Sequence, residues 1–299
     1  MPELPDVTVY VEALRERIVG HTLNRLLIRG PFLLRTVTPP VESLQGRQVV
    51  EVRRLGKQIV IGFERHLWLS LHLKIAGRLH WRNAAPKALA KNILAAFEFD
   101  NGVLTLTEAG SQHRASIHVV LGEDGLRTLD AGGLEVLEAS LGEFTKALQS
   151  ANHTLKRSLT DPRLFSGIGN AYSDEILHRA RLSPVAMTQK LAPPEIERLY
   201  TAIRETMTEW IDRLRQEAGD SFPEKVTAFR PAMAVHGRYG QPCPRCSAKV
   251  QRIRYASNET NYCAVCQTGG RLLADRALSR LLRQDWPRSL DEMEELKRR

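Results

Sequence analysis

Residues 243–266 read CPRCSAKVQRIRYASNETNYCAVC, and this stretch holds all four cysteines of the 299-residue chain. Each CxxC pair places two thiolates on one tight turn, and two such pairs supply the tetrahedral sulfur shell that Zn²⁺ prefers. Two redox-active dithiols are the alternative, but no thioredoxin-like strand–helix pattern surrounds them. We therefore predict one zinc ion held by Cys243, Cys246, Cys263 and Cys266. Four protein ligands leave no open position, so this zinc is structural.

The sequence around the cysteines is basic. The chain carries a net charge of +9, and the segment from His236 to the end contains 13 Lys and Arg but only 7 Asp and Glu. Such an uneven positive charge is typical of nucleic-acid contact, although a merely soluble basic protein would also show it. With 42% apolar residues, the composition excludes collagen-like, mucin-like and wholly disordered classes.

The N-terminal part of the chain has the pattern of a β-rich domain. Asp6 is placed to cap a first helix, whose apolar stripe runs from Val7 to Ile18. Short alternating runs then predict strands over residues 23–28, 49–52, 58–63, 67–73, 95–99, 103–106 and 116–121. We predict a β-sandwich over residues 1–130, with turns at 100–102 and 122–125.

Helical periodicity replaces this pattern after residue 130. It predicts helices around 141–148 and 153–159, a third after Gly169, and a long one over 196–214. We predict a helical domain over 131–235, ending in an irregular loop over 218–235. The zinc module then occupies 236–268, and a charged tail, helical over 271–283, occupies 269–299.

The location of the protein is also suggested by the sequence. No apolar run approaches the ~18–20 residues that span a bilayer. The first residues, MPELPDVTVY, lack the basic and apolar regions of a secretory signal. We expect a cytoplasmic protein of bacterial type, associated with the nucleoid, with no membrane partner.

A glycine turn at 167–170, GIGN, lies between two predicted helices. Glycines let the backbone approach a phosphate, and the N-terminus of the following helix offers free N–H groups. A simple helix–helix turn explains the same residues, so the turn carries weight only together with other motifs. Those motifs are PELPDV at residues 2–7, Lys57 in RRLGK, GIGNAYSDEIL at 167–177 and the four-cysteine finger.

In this order, and over residues 2–267, the set resembles the formamidopyrimidine-DNA glycosylase / endonuclease VIII family. The resemblance implies an α+β multidomain fold: an N-terminal β-sandwich with an N-terminal helix, a helix–two-turn–helix α domain and a C-terminal zinc finger with four cysteine ligands. It also implies that damaged double-stranded DNA is clamped between the domains. We expect a monomer with no organic cofactor.

The resemblance further implies a bifunctional DNA glycosylase/AP lyase of base-excision repair. Removal of Met1 would free the secondary amine of Pro2, which attacks C1′ of a modified nucleoside and forms an iminium. Glu3 would serve as general acid/base. Lys57 would contact a phosphate beside the lesion and assist catalysis. The remaining residues implied to contact DNA are Lys156, near the lesion, and Asn170, on a phosphate.

Three departures from the family's pattern concern the choice of substrate. The finger arginine that grips the phosphates is Asn258 here, and Arg252 or Arg254 is the candidate substitute. Members of the family fill the gap left in the DNA by the everted base with a methionine and an Arg…Phe pair. Ile75 stands at the methionine position, and residues 107–116, which correspond to the pair, contain no aromatic residue. The pattern after Pro5 is altered to Asp6, Val7 and Thr8. The sequence therefore does not indicate which modified base is the substrate.

Two other classes of protein fit parts of the sequence. A non-catalytic protein that binds damaged or abasic DNA would use the same clamp, and Asn258 favours it. A zinc-ribbon RNA-binding protein would have the basic finger but no use for Pro2 and Glu3. His66 and His72 are spaced like finger histidines, but four thiolates are available and their setting is apolar, so we expect no metal role for them.

Overall fold

The computed structural model describes residues 1–83, 90, 92–109, 113–224, 226, 230–255, 258–274 and 287–298. The chain divides into two compact units. The first comprises Met1–Gly133 with Thr208–Ala228, and the second comprises Leu134–Met207 with Phe229–Arg299. Among the helices of the described ranges, none is long and apolar enough to cross a membrane.

The first unit contains one long helix, α1 (Leu4–Ile18), and an antiparallel sheet of eight strands within its described residues. Along the sheet the order is β5-β7-β6-β1-β2-β3-β4-β8. The strands are β1 (Thr22–Ile28), β2 (Arg47–Leu55), β3 (Gln58–Phe63), β4 (Leu67–His72), β5 (Gly77–Arg82), β6 (Ile93–Phe99), β7 (Gly102–Glu108) and β8 (Ser116–Leu121).

The sheet folds into two halves because β1 and β2 pair only at Thr22↔Gln48 and Leu23↔Arg47. Strands of both halves contribute to one hydrophobic core, together with Tyr10 and Leu14 of α1. The predicted β-sandwich with its N-terminal helix is confirmed. The prediction missed β5, and the turn predicted at 122–125 is wrong because a short helix, α2 (Gly122–Arg127), forms there.

Helix α1 begins earlier than predicted. Glu3, not Asp6, is its N-cap residue, and the Glu3 backbone N–H donates to Asp6 Oδ2 at 2.9 Å. Asp6 therefore lies inside the first turn, where a carboxylate satisfies a free N–H and interacts favourably with the helix dipole. Pro5 fits the same turn because its missing N–H would have had no helical partner.

The second unit carries the helical domain and the cysteines. Its helices α3 (Leu141–Gln149), α4 (Leu155–Thr160) and α5 (Asn170–Ala180) agree with the predicted positions. Helix α6 (Pro193–Ala218) passes from the second unit into the first. Ser140 is the N-cap residue of α3 and forms a reciprocal capping box with Glu143. The two side chains accept hydrogen bonds from two backbone N–H groups that have no partner within the helix.

The finger contains a hairpin followed by one short helix. Strands β9 (Gln251–Arg254) and β10 (Glu259–Tyr262) pair antiparallel, and α7 (Ala264–Thr268) follows. A last helix, α8 (Leu290–Arg298), was not predicted. Residues 271–274 are not helical, and the rest of the helix predicted at 271–283 lies outside the described residues.

Candidate functional site

The N-terminal residues with predicted catalytic roles are buried at the start of α1. Pro2 is buried and Glu3 is 1% exposed. The Glu3 backbone N–H is bonded to Asp6, so the start of α1 sets the position of both acids. An α-amine near a buried carboxylate provides a nucleophile and a group that can move a proton.

Burial of this chain end favours the neutral form of the Met1 α-amine. Burial lowers the pKa of the Met1 α-amine below its usual value, and Arg78 and Lys57 lower it further. Glu3 and Asp6 oppose that shift. A nucleophilic amine needs its lone pair, so a lowered pKa increases the reactive fraction near neutral pH.

Lys57 lies in the tight turn between β2 and β3. The turn needs Gly56, whose φ of +60° lies in the left-handed region that glycine adopts without strain. This turn carries Lys57 close enough to the chain end to influence the amine there. The structure thus brings Pro2, Glu3 and Lys57 into one region of the first unit.

Two further titratable side chains lie near this region: Arg78, which sequence reasoning missed, and His72, for which it expected only that it binds no metal. Arg78 follows Gly77 at the start of β5, and its positive charge lowers the pKa of the N-terminal amine. His72 ends β4, and its pKa is lowered to about 3 by burial, with Lys74, Lys57 and His118 adding in the same direction. In the sheet His72 pairs with Gln58 of β3, next to Lys57, a neighbour that the sequence alone does not reveal.

Ile75 stands at the tip of the turn between β4 and β5. Its side chain is 56% exposed, which is unusual for isoleucine and is what an apolar wedge requires. The Gly77 backbone N–H closes the turn by donating to the Leu73 carbonyl at 2.9 Å. Residues 110–112, part of the stretch 107–116 that holds no aromatic residue, lie outside the described residues.

Lys156 and Asn170 meet at the start of α5. Lys156 Nζ donates to the Asn170 carbonyl at 2.7 Å and forms an ion pair with Asp174 Oδ1 at 2.5 Å. The Asn170 side-chain Nδ2 donates to the Glu259 carbonyl of β10 at 3.1 Å. Lys156 is therefore held inside the second unit, and Asn170 joins the glycine turn to the finger hairpin.

Two acids of α5 organise the chain before the finger. Asp174 Oδ2 accepts hydrogen bonds from His236 Nδ1 at 2.8 Å and from the Asn261 backbone N–H at 3.1 Å. Glu175 accepts backbone N–H groups of Ala234, Val235 and His236, and burial raises its pKa despite these bonds. The sequence motif contains both acids, but their spacing gave no sign of these distant partners.

Arg254 and Asn258 flank the tip of the finger hairpin. Both are exposed, and the Tyr255 backbone N–H donates to the Asn258 carbonyl at 2.8 Å. Arg252, the other candidate cation, lies over the Tyr239 ring at 4.1 Å and near Glu259. Arg254 is the more exposed of the two cations.

The four cysteines form one cluster. Their Sγ atoms all lie within 4.8 Å of one another, with Cys243–Cys266 at 4.0 Å and Cys246–Cys263 at 3.4 Å. Zinc–sulfur bonds of about 2.3 Å place tetrahedral sulfurs about 3.8 Å apart, so the cluster fits the ion. This is the ligand set of one structural zinc, as predicted.

Comparison with known proteins agrees with this organisation. Residues 1–110 match the formamidopyrimidine-DNA glycosylase N-terminal domain, 134–219 match the H2TH domain of the same glycosylases, and 240–269 match a zinc finger found in FPG and IleRS. A formamidopyrimidine-DNA glycosylase of Heliobacterium modesticaldum is 33% identical over 281 residues, which cover 89% of this chain and all of that protein. The chain belongs to the formamidopyrimidine-DNA glycosylase family.

Two solved structures share the fold. The crystal structure of the MutM (Fpg) protein from Thermus thermophilus has a TM-score of 0.75 and 30% identity, covering 89% of this chain and 98% of that one. The Lactococcus lactis Fpg in complex with abasic-site DNA has a TM-score of 0.79 at 24% identity, covering 89% and 99%. Both confirm a sandwich, a helical domain and a finger in one chain.

Proposed function

We propose that this protein is a DNA glycosylase and AP lyase that removes an oxidised or otherwise modified base from double-stranded DNA. The observation that carries the proposal is the buried Pro2–Glu3 start of α1, where burial lowers the pKa of the preceding Met1 α-amine although Glu3 opposes the shift. Membership of the glycosylase family and the DNA-bound relative support the same function.

The proposed chemistry starts once Met1 is removed. The lone pair of the Pro2 nitrogen forms a bond to C1′, and the glycosidic bond breaks, with its electron pair leaving on the base, which takes up a proton. The Pro2 nitrogen then loses its proton, and the C1′–O4′ bond breaks with its electron pair leaving on O4′, which takes up a proton, so the opened sugar is a positively charged iminium. Loss of a C2′ proton then expels the 3′ phosphate, and a second proton loss expels the 5′ phosphate. Water finally hydrolyses the bond between the sugar fragment and the Pro2 nitrogen.

The other residues have supporting roles in this proposal. Glu3 moves protons at the sugar, and Lys57 holds the phosphate beside the lesion. Attack at C1′ requires the nucleotide to leave the base stack, which leaves a gap in the DNA duplex. Ile75 fills that gap. In the second unit, Asn170 donates to a phosphate, since its Nδ2 has a second hydrogen besides the one given to Glu259. Lys156 positions the start of α5 from inside.

Borohydride trapping tests the proposal. Zinc-loaded protein is mixed with duplexes that contain an abasic site or an oxidised base, reduced with borohydride, and searched by mass spectrometry for a covalent adduct. We expect an adduct on Pro2, in protein whose intact mass shows the loss of Met1. Pro2→Gly should abolish base excision, and Glu3→Gln should slow it by about 10²–10⁴-fold.

A matched control keeps this test specific. Glu12→Gln changes another acid of α1, one that pairs with Arg215 at the protein surface, and should leave excision unchanged. Excision by Pro2→Gly and Glu3→Gln at the rate of the unmodified protein would refute the mechanism.

The second candidate is a protein that binds damaged or abasic DNA without cutting it. Asn258 favours it, because an amide at the hairpin tip cannot replace the charged fork of an arginine. Both candidates predict affinity that falls steeply with salt, so binding alone does not separate them. Tight binding of abasic DNA by protein that starts at Pro2, with no trapped adduct, would favour this second function.

A further inference from the structure

The imidazole of His178 lies against the zinc cluster from the last turn of α5. Its Nε2 atom is 3.2 Å from Cys243 Sγ, and the side chain is 4% exposed. The imidazole is not one of the four mutually close donors, which are all cysteine sulfurs. Since a metal-bound thiolate only accepts hydrogen bonds, Nε2 must carry the hydrogen.

His178 makes a second contact with the first cysteine pair, through its backbone carbonyl. Arg245, between Cys243 and Cys246, donates from Nη1 to the His178 carbonyl at 2.9 Å. The second pair is tied to the end of the same helix by Gln267, which accepts from the Cys263 N–H at 2.8 Å and donates to the Leu182 carbonyl at 3.0 Å. Both cysteine turns are thus held by the last turn of α5 and the residues directly after it.

We propose that His178 is an outer-sphere ligand of the zinc, whose N–H stabilises the Cys243 thiolate and couples metal retention to helix α5. Four thiolates around Zn²⁺ leave a net charge of −2 at a site where Cys243 and Cys263 are buried. A hydrogen bond from a buried donor reduces the charge on one sulfur and holds it in the ligand geometry. This role is independent of the DNA chemistry proposed above.

Zinc release from the full-length protein tests the proposal. The protein is challenged with excess EDTA at neutral pH, and the metal that remains is measured over time. His178→Phe keeps an aromatic ring but removes the donor, and should lose zinc about 10–100-fold faster. His178→Gln restores an N–H near the Nε2 position and should release zinc within about threefold of the unmodified protein. His153→Phe, a half-buried histidine of the same unit, should behave like the unmodified protein.

A second measurement reports on the sulfur itself. In cobalt-substituted protein, the sulfur-to-cobalt charge-transfer band should shift in His178→Phe and stay in place in His178→Gln. Equal release from all variants would overturn the proposal. Equally fast release from the Phe and Gln variants would also overturn it, since packing of the ring, not its N–H, would then retain the zinc.

Discussion

Nζ of Lys156 lies 2.5 Å from Oδ1 of Asp174, and the carboxylate side of this ion pair is closed to solvent, with Asp174 0% exposed. The other carboxylate oxygen accepts from His236 and from the Asn261 backbone. One buried charge therefore joins α4, α5, the segment before the finger and β10. Lys156, which the family resemblance implies lies near the lesion, is buried in this arrangement.

Removing the lysine partner should destabilise the second unit. Lys156→Met leaves Asp174 buried with a charge that has lost its cation, and breaking such a pair costs about 3–5 kcal/mol. We expect a lower unfolding midpoint and faster amide exchange in α5. Lys190→Met, at an exposed lysine of the same unit, is the control. Equal stability of the two variants would contradict the role assigned to the pair.

Gly77→Ala should disturb the turn that presents Ile75. A Cβ at position 77 would lie 2.4 Å from the Leu73 carbonyl oxygen, a backbone atom that cannot move without opening the turn. We expect a loss of about 1–3 kcal/mol in the free energy of unfolding and weaker discrimination of damaged from intact duplex. Gly30→Ala is the matched control, because a Cβ there meets nothing within 4 Å. A Gly77→Ala protein as stable as this control would refute the steric argument.

The chain-end amine should respond to its charged neighbours in opposite directions. Arg78 lowers the pKa of the Met1 amine and Glu3 raises it, and we expect the same signs for Pro2 after Met1 is removed. Arg78→Gln should therefore raise the amine pKa and Glu3→Gln should lower it. Titration of ¹⁵N-proline-labelled protein by NMR measures both shifts. Arg82→Gln, an exposed arginine on the same strand, serves as control. Shifts of the same sign in the two variants would argue against this electrostatic picture.

The sequence predicted elements where local patterns are strong. Strands 58–63 and 116–121 agree with β3 and β8, because alternating apolar residues there face one core. The four cysteines defined their own site, since the ligands are complete within one short stretch. Strand β5 was missed although its burial alternates over Gly77–His80, because GRLHWR offers only two large apolar residues, Leu79 and Trp81.

The partners of the site residues could not be predicted in the same way. Asp174 lies 18 residues from Lys156 and 62 from His236, and no local pattern encodes those pairings. The approach of His178 to Cys243 spans 65 residues and depends on how the finger packs on α5. Residue types thus indicated the chemistry, while the contacts that tune it required the fold.

Acid should destabilise the first unit through His72. Its pKa in the folded protein is about 3, against an ordinary value of 6.5, so the unfolded chain binds the proton first. The stability contributed by neutral His72 is present above about pH 6.5 and is lost as the pH falls towards 3. His72→Gln should flatten this dependence in urea unfolding followed between about pH 7 and 4. His66→Gln, in the exposed turn before β4, is the control. An unchanged slope in His72→Gln would contradict the shift.

The C-terminal segment should support the finger hairpin. Leu290 and Met293 of α8 pack on a cluster that contains Ile253, Tyr262 and Leu272, and the Leu273 backbone N–H donates to the Tyr262 hydroxyl at 2.8 Å. Ending the chain after residue 269, where the zinc-finger match ends, would expose that apolar face.

We expect the shortened chain to exchange its β9 and β10 amide hydrogens faster and to lose zinc more readily. Because a large buried side chain contributes about 2–5 kcal/mol, Leu272→Ala in the full chain should act in the same direction. Asp291→Ala, an exposed position of α8, should not. Hairpin exchange that is unaffected by the truncation would mean that the finger holds its shape without the segment.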